Sequence, residues 1–239
     1  MPGPVECDVW WATPLPADDA WLALLTPVER TRFDAYRKAE DRDRFLTGRV
    51  LARTVLGRRL GIAPADVELD ATCPDCGRPH GKPRVPDSDL ELSISHAGDR
   101  VGLAVSSGTP VGLDVEATTR NSGDDLLRYV LSDAEYTTVA ALPEADRADV
   151  FFTYWARKEA VMKATGLGLK IPLKSVTLTP PGQQPAVVGS AHDAVQPAST
   201  ALVDLQCGPG YAAAVAALTP NGLAVTQHWW QSADFRPLS

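Results

Sequence analysis

The most informative part of this 239-residue chain is Val111-Gly112-Leu113-Asp114-Val115-Glu116. Its alternation predicts a β-strand, in which residues two apart share one face. The three aliphatic side chains should face a core, and Asp114 and Glu116 should share the opposite face. Two neighbouring carboxylates repel each other unless a cation or a proton separates them, and Mg²⁺ prefers such hard oxygen ligands. The strand is therefore a candidate metal site, and a solvated edge strand is the simpler alternative.

Two further strands are predicted just before it. Apolar residues alternate from Leu90 to Ser95 and again from Val101 to Val105. The turns between the three strands contain glycine, serine and proline, which suit tight connections. We therefore expect a three-stranded meander that ends at Glu116.

Two helices flank this meander. The apolar spacing predicts a helix over residues 40–60 and another over residues 149–165, each followed by a glycine that suits a left-handed cap. A similar pattern of glycine, proline and a predicted strand follows each helix, which is weak evidence for an internal duplication. Four more strands are predicted at residues 175–179, 201–206, 211–218 and 224–229, with a polar loop at residues 180–197.

The chain is accordingly predicted to be an α+β protein made of two related halves, residues 1–108 and 109–239. Within the second half, Trp155, Glu159 and Lys163 lie four residues apart and share one helix face. A simple helical salt bridge is the alternative for Glu159 and Lys163. The aromatic residues just before them should be buried, which would place both charges at the edge of a core.

Charge is distributed unevenly along the chain. The net charge of -7 argues against a protein that mainly coats nucleic acid or anionic membrane. Residues 28–60 nevertheless contain ten basic and five acidic residues, and residues 110–149 contain nine acidic and three basic ones. Two solvated helical surfaces would explain both segments. Neither a signal peptide nor a membrane span is recognisable, so we expect a cytoplasmic protein with reduced cysteines.

Two smaller motifs also carry candidate chemistry. His96 follows a predicted strand at a turn with small neighbours, where a histidine could contact a phosphate but is more often structural. Cys73, Cys76 and His80 are similar to half of a zinc ribbon, although a closed zinc site needs four ligands. Cys7 or Cys207 would have to complete it, so a surface loop is the preferred interpretation.

These residues resemble the surfactin-type 4'-phosphopantetheinyl transferases. Three motifs occur in the family's order: Gly81-Lys82-Pro83 with Ser93-Ile94-Ser95-His96, then Gly112 to Glu116, then Trp155 with Lys158-Glu159-Ala160 and Lys163. The last two are specific in combination, and the likeness covers roughly residues 27–178. The resemblance implies a pseudo-dimer of two α+β halves with the active site between them. It also implies transfer of phosphopantetheine from coenzyme A to a serine of an apo acyl or peptidyl carrier protein, with release of adenosine 3',5'-bisphosphate.

The resemblance further implies roles for particular residues. Mg²⁺, or Mn²⁺ in its place, would be bound by Asp114, Glu116 and Glu159, with a water where the family's third strand carboxylate is replaced by Val115. Glu159 would also take the proton of the carrier serine, and Lys163 would neutralise charge on the pyrophosphate. The implied coenzyme A contacts are Arg44, Lys82, Ser95, His96, Lys158 and Lys163, together with Arg37 and Arg32, for which solvation is an equal alternative.

Several matters stay open at this point. The carrier would dock on the apolar set Leu126, Leu127, Tyr129 and Val130, or these residues form an ordinary buried helix face. Fatty-acid, polyketide and non-ribosomal-peptide carriers all present a similar serine. A monomer would suffice, with no nucleic acid or membrane as partner. The competing functions are a Mg²⁺-dependent phosphohydrolase that uses the same acids, and a binding module built around a zinc site.

Overall fold

The protein is described by a computed structural model, which covers residues 2–119 and 123–235. Helices and strands make up most of the described residues, and the longest stretch between two of them is residues 61–89. In chain order the elements are β1 (Val5–Ala12), α1 (Asp19–Leu22), α2 (Pro27–Ala35), α3 (Ala39–Leu60), β2 (Leu90–Ala97), β3 (Arg100–Ser107), β4 (Val111–Ala117), α4 (Asp124–Val130), α5 (Asp133–Ala140), α6 (Glu144–Thr165), β5 (Val176–Leu178), β6 (Val187–Ser190), β7 (Ala201–Leu205), β8 (Tyr211–Ala217) and β9 (Leu223–Trp229).

Four layers form the body of the protein. One sheet has the strand order β2-β3-β1-β9 and another has the order β4-β8-β7. The first sheet packs one face on α3, and the second packs one face on α6. The remaining faces of the two sheets bury a shared core that includes Val9, Trp11, Val111, Leu113 and Val215. The predicted α+β fold with two halves is confirmed.

The two long helices reflect the duplication suggested by the sequence. Both α3 and α6 have 22 residues and end at a glycine in the left-handed region, Gly61 with φ 69° and Gly166 with φ 70°. The helix predicted from residue 149 begins earlier, at Glu144. Its first turn carries acids, which favour a helix N-terminus but give no apolar stripe for a periodicity argument to detect.

The predicted meander is correct for only two of its three strands. β2 and β3 form an antiparallel hairpin, but β4 pairs with β8 in the other sheet. The reason is β1, which the sequence analysis missed. It pairs with β3 along the edge that β4 was expected to occupy, with Cys7 opposite Ser106.

The four predicted C-terminal strands are present, with ends that shift by at most one residue. The predicted loop at residues 180–197 is wrong in part, because β6 lies within it and pairs with β5. The last strand, β9, returns to the first sheet and pairs in parallel with β1. The division at residue 108 stays a prediction, and β9 is the strand that crosses it.

No helix within residues 2–119 and 123–235 combines the length and the apolar character needed to cross a bilayer.

Candidate active site

The two sheets meet edge to edge at β2 and β4. The backbone N–H of Leu113 donates to Ser93 Oγ at 2.9 Å, and the N–H of Val115 donates to Ser95 Oγ at 3.3 Å. Serine hydroxyls therefore take the place of a backbone ladder between the two strands. This seam fixes β2 of the first half beside the acidic strand of the second half.

Gly112 allows β4 to lie directly against α6. A Cβ atom at Gly112 would come within 2.9 Å of the Lys163 carbonyl carbon, and closer still to the Ala160 oxygen and the Ala164 nitrogen. Any side chain here would push the strand and the helix apart, since ordinary contacts between carbon atoms are about 3.5 Å or longer. The glycine thus brings Asp114, two residues later, against the polar face of α6.

Asp114, Lys163 and Ser95 form a closed triangle of hydrogen bonds. Lys163 Nζ lies 2.6 Å from Asp114 Oδ1 and 2.9 Å from Ser95 Oγ, and that hydroxyl donates to Asp114 Oδ1 at 2.9 Å. Asp114 is only 4% exposed. Its other oxygen, Oδ2, is buried and has no hydrogen-bond partner among the described residues. One oxygen of this carboxylate is therefore saturated, and the other is left for a further ligand.

Glu159 lies one helical turn before Lys163 on α6. Burial raises the pKa of its carboxyl above the usual range, and the negative charge of Asp114 raises that pKa further, while Lys163 lowers it. The cleft that contains these groups has a volume of about 350 Å³. It is lined by Ile94, Ser95, His96, Asp114, Val115, Glu116, Trp155, Glu159 and Lys163. The structure brings together the three predicted metal ligands, Lys163, Ser95 and His96.

The donor types of this cleft suit a divalent cation, and among the described residues the oxygens of Asp114, Glu116 and Glu159 do not all lie within 4.8 Å of one another. The buried Asp114 Oδ2 atom needs a partner, and Glu159 and Glu116 line the same cleft. Burial raises the pKa of Glu159, and the charge of Asp114 raises it further, so the two carboxylates repel each other. Carboxylate oxygens are the ligands that Mg²⁺ and Mn²⁺ prefer. A cation would give the unpaired oxygen a partner and would reduce the repulsion between the two carboxylates.

His96 and Arg44 lie beside the cleft on the first half. Arg44 Nη1 donates to the Gly98 carbonyl at 2.9 Å, and Nη2 donates to Asp41 at 2.7 Å. Desolvation lowers the pKa of His96, and the positive charges of Arg44 and Lys163 lower it further. The imidazole is therefore neutral near pH 7 and gains affinity for a proton when an anion arrives.

Lys82 connects the segment before β2 to the end of α6. Its Nζ atom lies 3.1 Å from Glu91 Oε2 and 3.5 Å from the carbonyl oxygen of Ala164. Burial lowers the pKa of Lys82, and Glu91 opposes that shift. The ammonium group is thus held near the helix turn that carries Lys163.

The expectation that Lys158 contacts coenzyme A is wrong. Its side chain is fully buried and its Nζ atom donates to the carbonyl oxygens of Val130, Leu173 and Val176 at 2.7–3.0 Å. The same atom forms an ion pair with Glu135 at 2.6 Å. A step of one residue turns a helical side chain by about 100°, so Lys158 faces the core behind Glu159. It stabilises the second half.

The basic segment also differs from its expected role. Arg49 and Arg53 are buried and share the carboxylate of Glu29 at 3.2 and 2.9 Å. Arg32 is exposed and donates to the Pro79 carbonyl, while Arg37 lies in the exposed turn between α2 and α3. Two of the ten basic residues in this segment, Arg49 and Arg53, are therefore committed to an ion pair within the fold.

The apolar set predicted to dock a carrier is mostly core. Leu127 and Val130 are buried on α4, and Leu126 packs against the same cluster. Tyr129 alone of the four is exposed, at 58%. The alternative of an ordinary buried helix face is confirmed, because the apolar spacing of α4 matches the face that packs on the second half.

Comparison with known proteins agrees with this arrangement. A family model described as the 4'-phosphopantetheinyl transferase superfamily matches residues 110–216, and one described as 4'-phosphopantetheinyl transferase, N-terminal, matches residues 11–108. The chain is 31% identical to the 4'-phosphopantetheinyl transferase Sfp of Bacillus subtilis over 85% of its length and 87% of that protein. The chain belongs to the 4'-phosphopantetheinyl transferase superfamily. It is an enzyme of this transferase class, as the three sequence motifs predicted.

Other relatives share the same class. The 4'-phosphopantetheinyl transferase HetI of Nostoc is 32% identical over 71% of this chain and 73% of that protein. The crystal structure of holo-[acyl-carrier-protein] synthase from Thermotoga maritima is 21% identical with a TM-score of 0.39. This likeness covers 46% of the present chain and 62% of that one, which is too little for a comparison of sites.

The sequence analysis named Ser93 within a motif but assigned it no role in this region. Its hydroxyl accepts the Leu113 N–H and so supports the strand that carries the acids. The repeated serines in Ser93-Ile94-Ser95 are the signal that could have found it, because alternate residues of β2 share a face.

Proposed function

We propose that this transferase moves 4'-phosphopantetheine from coenzyme A to a serine hydroxyl of an apo carrier protein, with Mg²⁺, and releases adenosine 3',5'-bisphosphate. The observation that carries the proposal is the state of Asp114. One of its oxygens is held by Lys163 and Ser95, and the other is buried without a partner beside two further acids.

Asp114, Glu116 and Glu159 would bind the metal ion. When bound, Mg²⁺ supplies a Lewis acid that neutralises the pyrophosphate of coenzyme A. Lys163 anchors Asp114 and keeps one of its three N–H donors beyond those given to Ser95 and Asp114. That donor is suited to a phosphate oxygen, so Lys163 both orients the acid and neutralises the leaving pyrophosphate oxygen.

Glu159 is the proposed proton acceptor. The serine oxygen forms a new bond to the phosphorus that bears the pantetheine arm, and the bond from this phosphorus to the oxygen of the adenosine bisphosphate breaks. The serine proton passes to Glu159 directly or through a water. Glu159 lines the same cleft as Asp114 and Lys163, so its carboxylate lies beside the groups that would hold the metal ion and the pyrophosphate.

Coenzyme A would be held by the basic groups around the cleft. Lys82, His96 and Arg44 lie on the first half beside the acids, and Ser95 lies on the cleft wall. Arg37 and Arg32 are proposed as outer contacts with the phosphates, because their guanidinium groups are exposed. We further propose that the enzyme acts in the cytoplasm as a monomer, with fatty-acid, polyketide or peptidyl carriers as acceptors and Mn²⁺ as an alternative ion.

Intact mass spectrometry of an apo carrier protein tests the proposal. The carrier is incubated with the enzyme, coenzyme A and Mg²⁺, and the reaction is repeated without metal and with Glu159→Ala. Glu144→Ala, at the exposed first turn of the same helix, is the matched control. We expect a gain of one phosphopantetheine that needs the metal, is lost with Glu159→Ala and is kept with Glu144→Ala. Hydrolysis of coenzyme A without any gain on carriers of all three classes would contradict the proposal and favour a phosphohydrolase.

A further inference from the structure

Residues 71–81, termed here the cysteine loop, have a compact fold of their own. Its base is closed by two backbone hydrogen bonds between Asp70 and Arg84, at 2.9 and 2.8 Å. Its tip turns at Gly77, whose φ of 69° lies in the left-handed region, and whose N–H donates to the Cys73 carbonyl at 2.9 Å. The Cys73 N–H donates to the Arg78 carbonyl at 2.8 Å. The backbone therefore curls around the two cysteines.

This curl brings three ligand atoms together. The sulfur atoms of Cys73 and Cys76 and a ring nitrogen of His80 all lie within 4.8 Å of one another. Cys76 Sγ is 2.9 Å from His80 Nε2. The order is Cys-x2-Cys-x3-His, in which each side chain is a common zinc ligand. A surface turn has no need to direct these three side chains to one point.

The three side chains differ in their exposure. Cys73 is 9% exposed, whereas Cys76 and His80 are exposed. One sulfur is therefore fixed by the surrounding backbone, and the other two side chains can move to meet an ion. The thiolate is the form of cysteine that binds metal.

We propose that Cys73, Cys76 and His80 bind one Zn²⁺ ion, with water in the fourth position. Two thiolates and a neutral imidazole balance the charge of the ion, and soft sulfur ligands favour zinc over Mg²⁺. With Zn–S near 2.3 Å, Zn–N near 2.0 Å and a tetrahedral angle, the Cys76–His80 separation would widen to about 3.5 Å. The exposed imidazole can make that movement. No fourth His, Cys, Asp or Glu joins the cluster within residues 2–119 and 123–235.

Neither Cys7 nor Cys207 completes this site, as the sequence distance suggested. Both side chains are buried in the core between the two sheets. Burial raises the pKa of Cys7 to about 12 and that of Cys207 to about 11, so both remain thiols at neutral pH. The site therefore has three protein ligands rather than four.

A zinc ion in the cysteine loop would affect residues outside the loop. Arg32 from α2 donates to the Pro79 carbonyl at 3.0 Å, and Lys170, which follows α6, pairs with Asp75 at 2.7 Å. The loop thus contacts elements of both halves, and Lys82 follows it directly. The zinc ion would hold Lys82 in position. Removal of the zinc should therefore raise the KM for coenzyme A more than it lowers kcat.

Metal content tests the proposal without reference to activity. Enzyme purified under reducing conditions without added metal is measured by inductively coupled plasma mass spectrometry. We expect about one zinc per chain, at least 10-fold less in Cys76→Ser and in His80→Ala, and full retention in Cys207→Ala. Because Cys76 and His80 are exposed, both variants should keep the wild-type circular dichroism spectrum.

Wild-type protein alone provides an independent measurement. Replacement of zinc by Co²⁺ should give a thiolate-to-metal charge-transfer band, which needs no variant. The proposal is overturned if reduced wild-type enzyme contains no zinc and takes up none from added zinc chloride, or if the Co²⁺ protein lacks that band. Zinc retained in either variant would overturn the three-ligand assignment.

Discussion

A single methyl group at Gly112 should disable the cleft without touching any of its acids. In the structure a Cβ atom here would lie 2.9 Å from the Lys163 carbonyl carbon and closer to backbone atoms of Ala160 and Ala164. All three obstacles are backbone atoms of α6, so no side chain can rotate away. The strand and the helix must separate, and Asp114 must move away from Lys163.

The size of the effect follows from these distances. Restoring contacts of about 3.5 Å requires a displacement of about 0.6 Å from the Lys163 carbonyl carbon, about 1.2 Å from the Ala164 nitrogen and about 1.5 Å from the Ala160 oxygen. Overpacking of this kind costs about 3 kcal/mol, the upper end of its usual range. For a chain of this size that corresponds to a drop in Tm of roughly 6–12 °C, so Gly112→Ala should still fold at 20 °C. A displacement of about 1 Å in an active site lowers kcat/KM by roughly 100-fold.

The assay compares Gly112→Ala with Gly189→Ala. Gly189 lies in β6, and its nearest obstacle to a Cβ is the Thr177 side chain at 3.9 Å, an ordinary contact. Phosphopantetheine transfer is measured at 20 °C by intact mass, and Tm by circular dichroism. We expect a large loss of kcat/KM and of Tm for Gly112→Ala and almost no loss of either for Gly189→Ala. If Gly112→Ala kept the wild-type kcat/KM and the wild-type Tm, the close packing of β4 on α6 would not be what builds the site.

Three further predictions concern individual charges. Lys158→Met should lower the free energy of unfolding in urea by about 3–5 kcal/mol, because it leaves the buried carboxylate of Glu135 without a cation. The KM for coenzyme A should stay unchanged. A higher KM with unchanged stability would show that Lys158 contacts the ligand after all. Because the folded-state pKa of Glu159 is raised, the stability that its protonated form contributes is lost as pH rises above 4.5 through that pKa. Glu159→Gln should therefore raise Tm in EDTA at pH 8 more than at pH 5, and a lower Tm at pH 8 would be inconsistent with this. The lowered pKa of His96 should rise when adenosine 3',5'-bisphosphate binds, as followed by NMR titration; no change on binding would exclude a phosphate contact.

Local structure was largely predictable from the sequence. Apolar periodicity located α3 and most of α6, and the glycines that end both helices adopt the left-handed conformation expected of them. The alternation in β4 placed Asp114 and Glu116 on one face, and four-residue spacing placed Glu159 and Lys163 together. These inferences succeeded because each depends only on the geometry of one element.

Pairing between distant elements was not predictable in the same way. β1 and β9 are separated by more than 200 residues and still pair, and β1 also pairs with β3 at the edge where β4 was expected. Lys158 is similar, because its partner Glu135 is on another helix and becomes its neighbour only when α5 packs on α6. The buried pairs of Arg49 and Arg53 with Glu29 likewise depend on the packing of α2 on α3.

The central claim is that the acids of β4 and α6 bind a divalent cation together with coenzyme A. The most direct test is a Mn²⁺ titration of the enzyme with saturating coenzyme A, in which electron paramagnetic resonance measures the free ion. We predict one bound Mn²⁺ per chain in the wild type and in Glu144→Ala, and at least 10-fold weaker binding in Glu159→Ala. Equal Mn²⁺ affinity in all three proteins would contradict the claim.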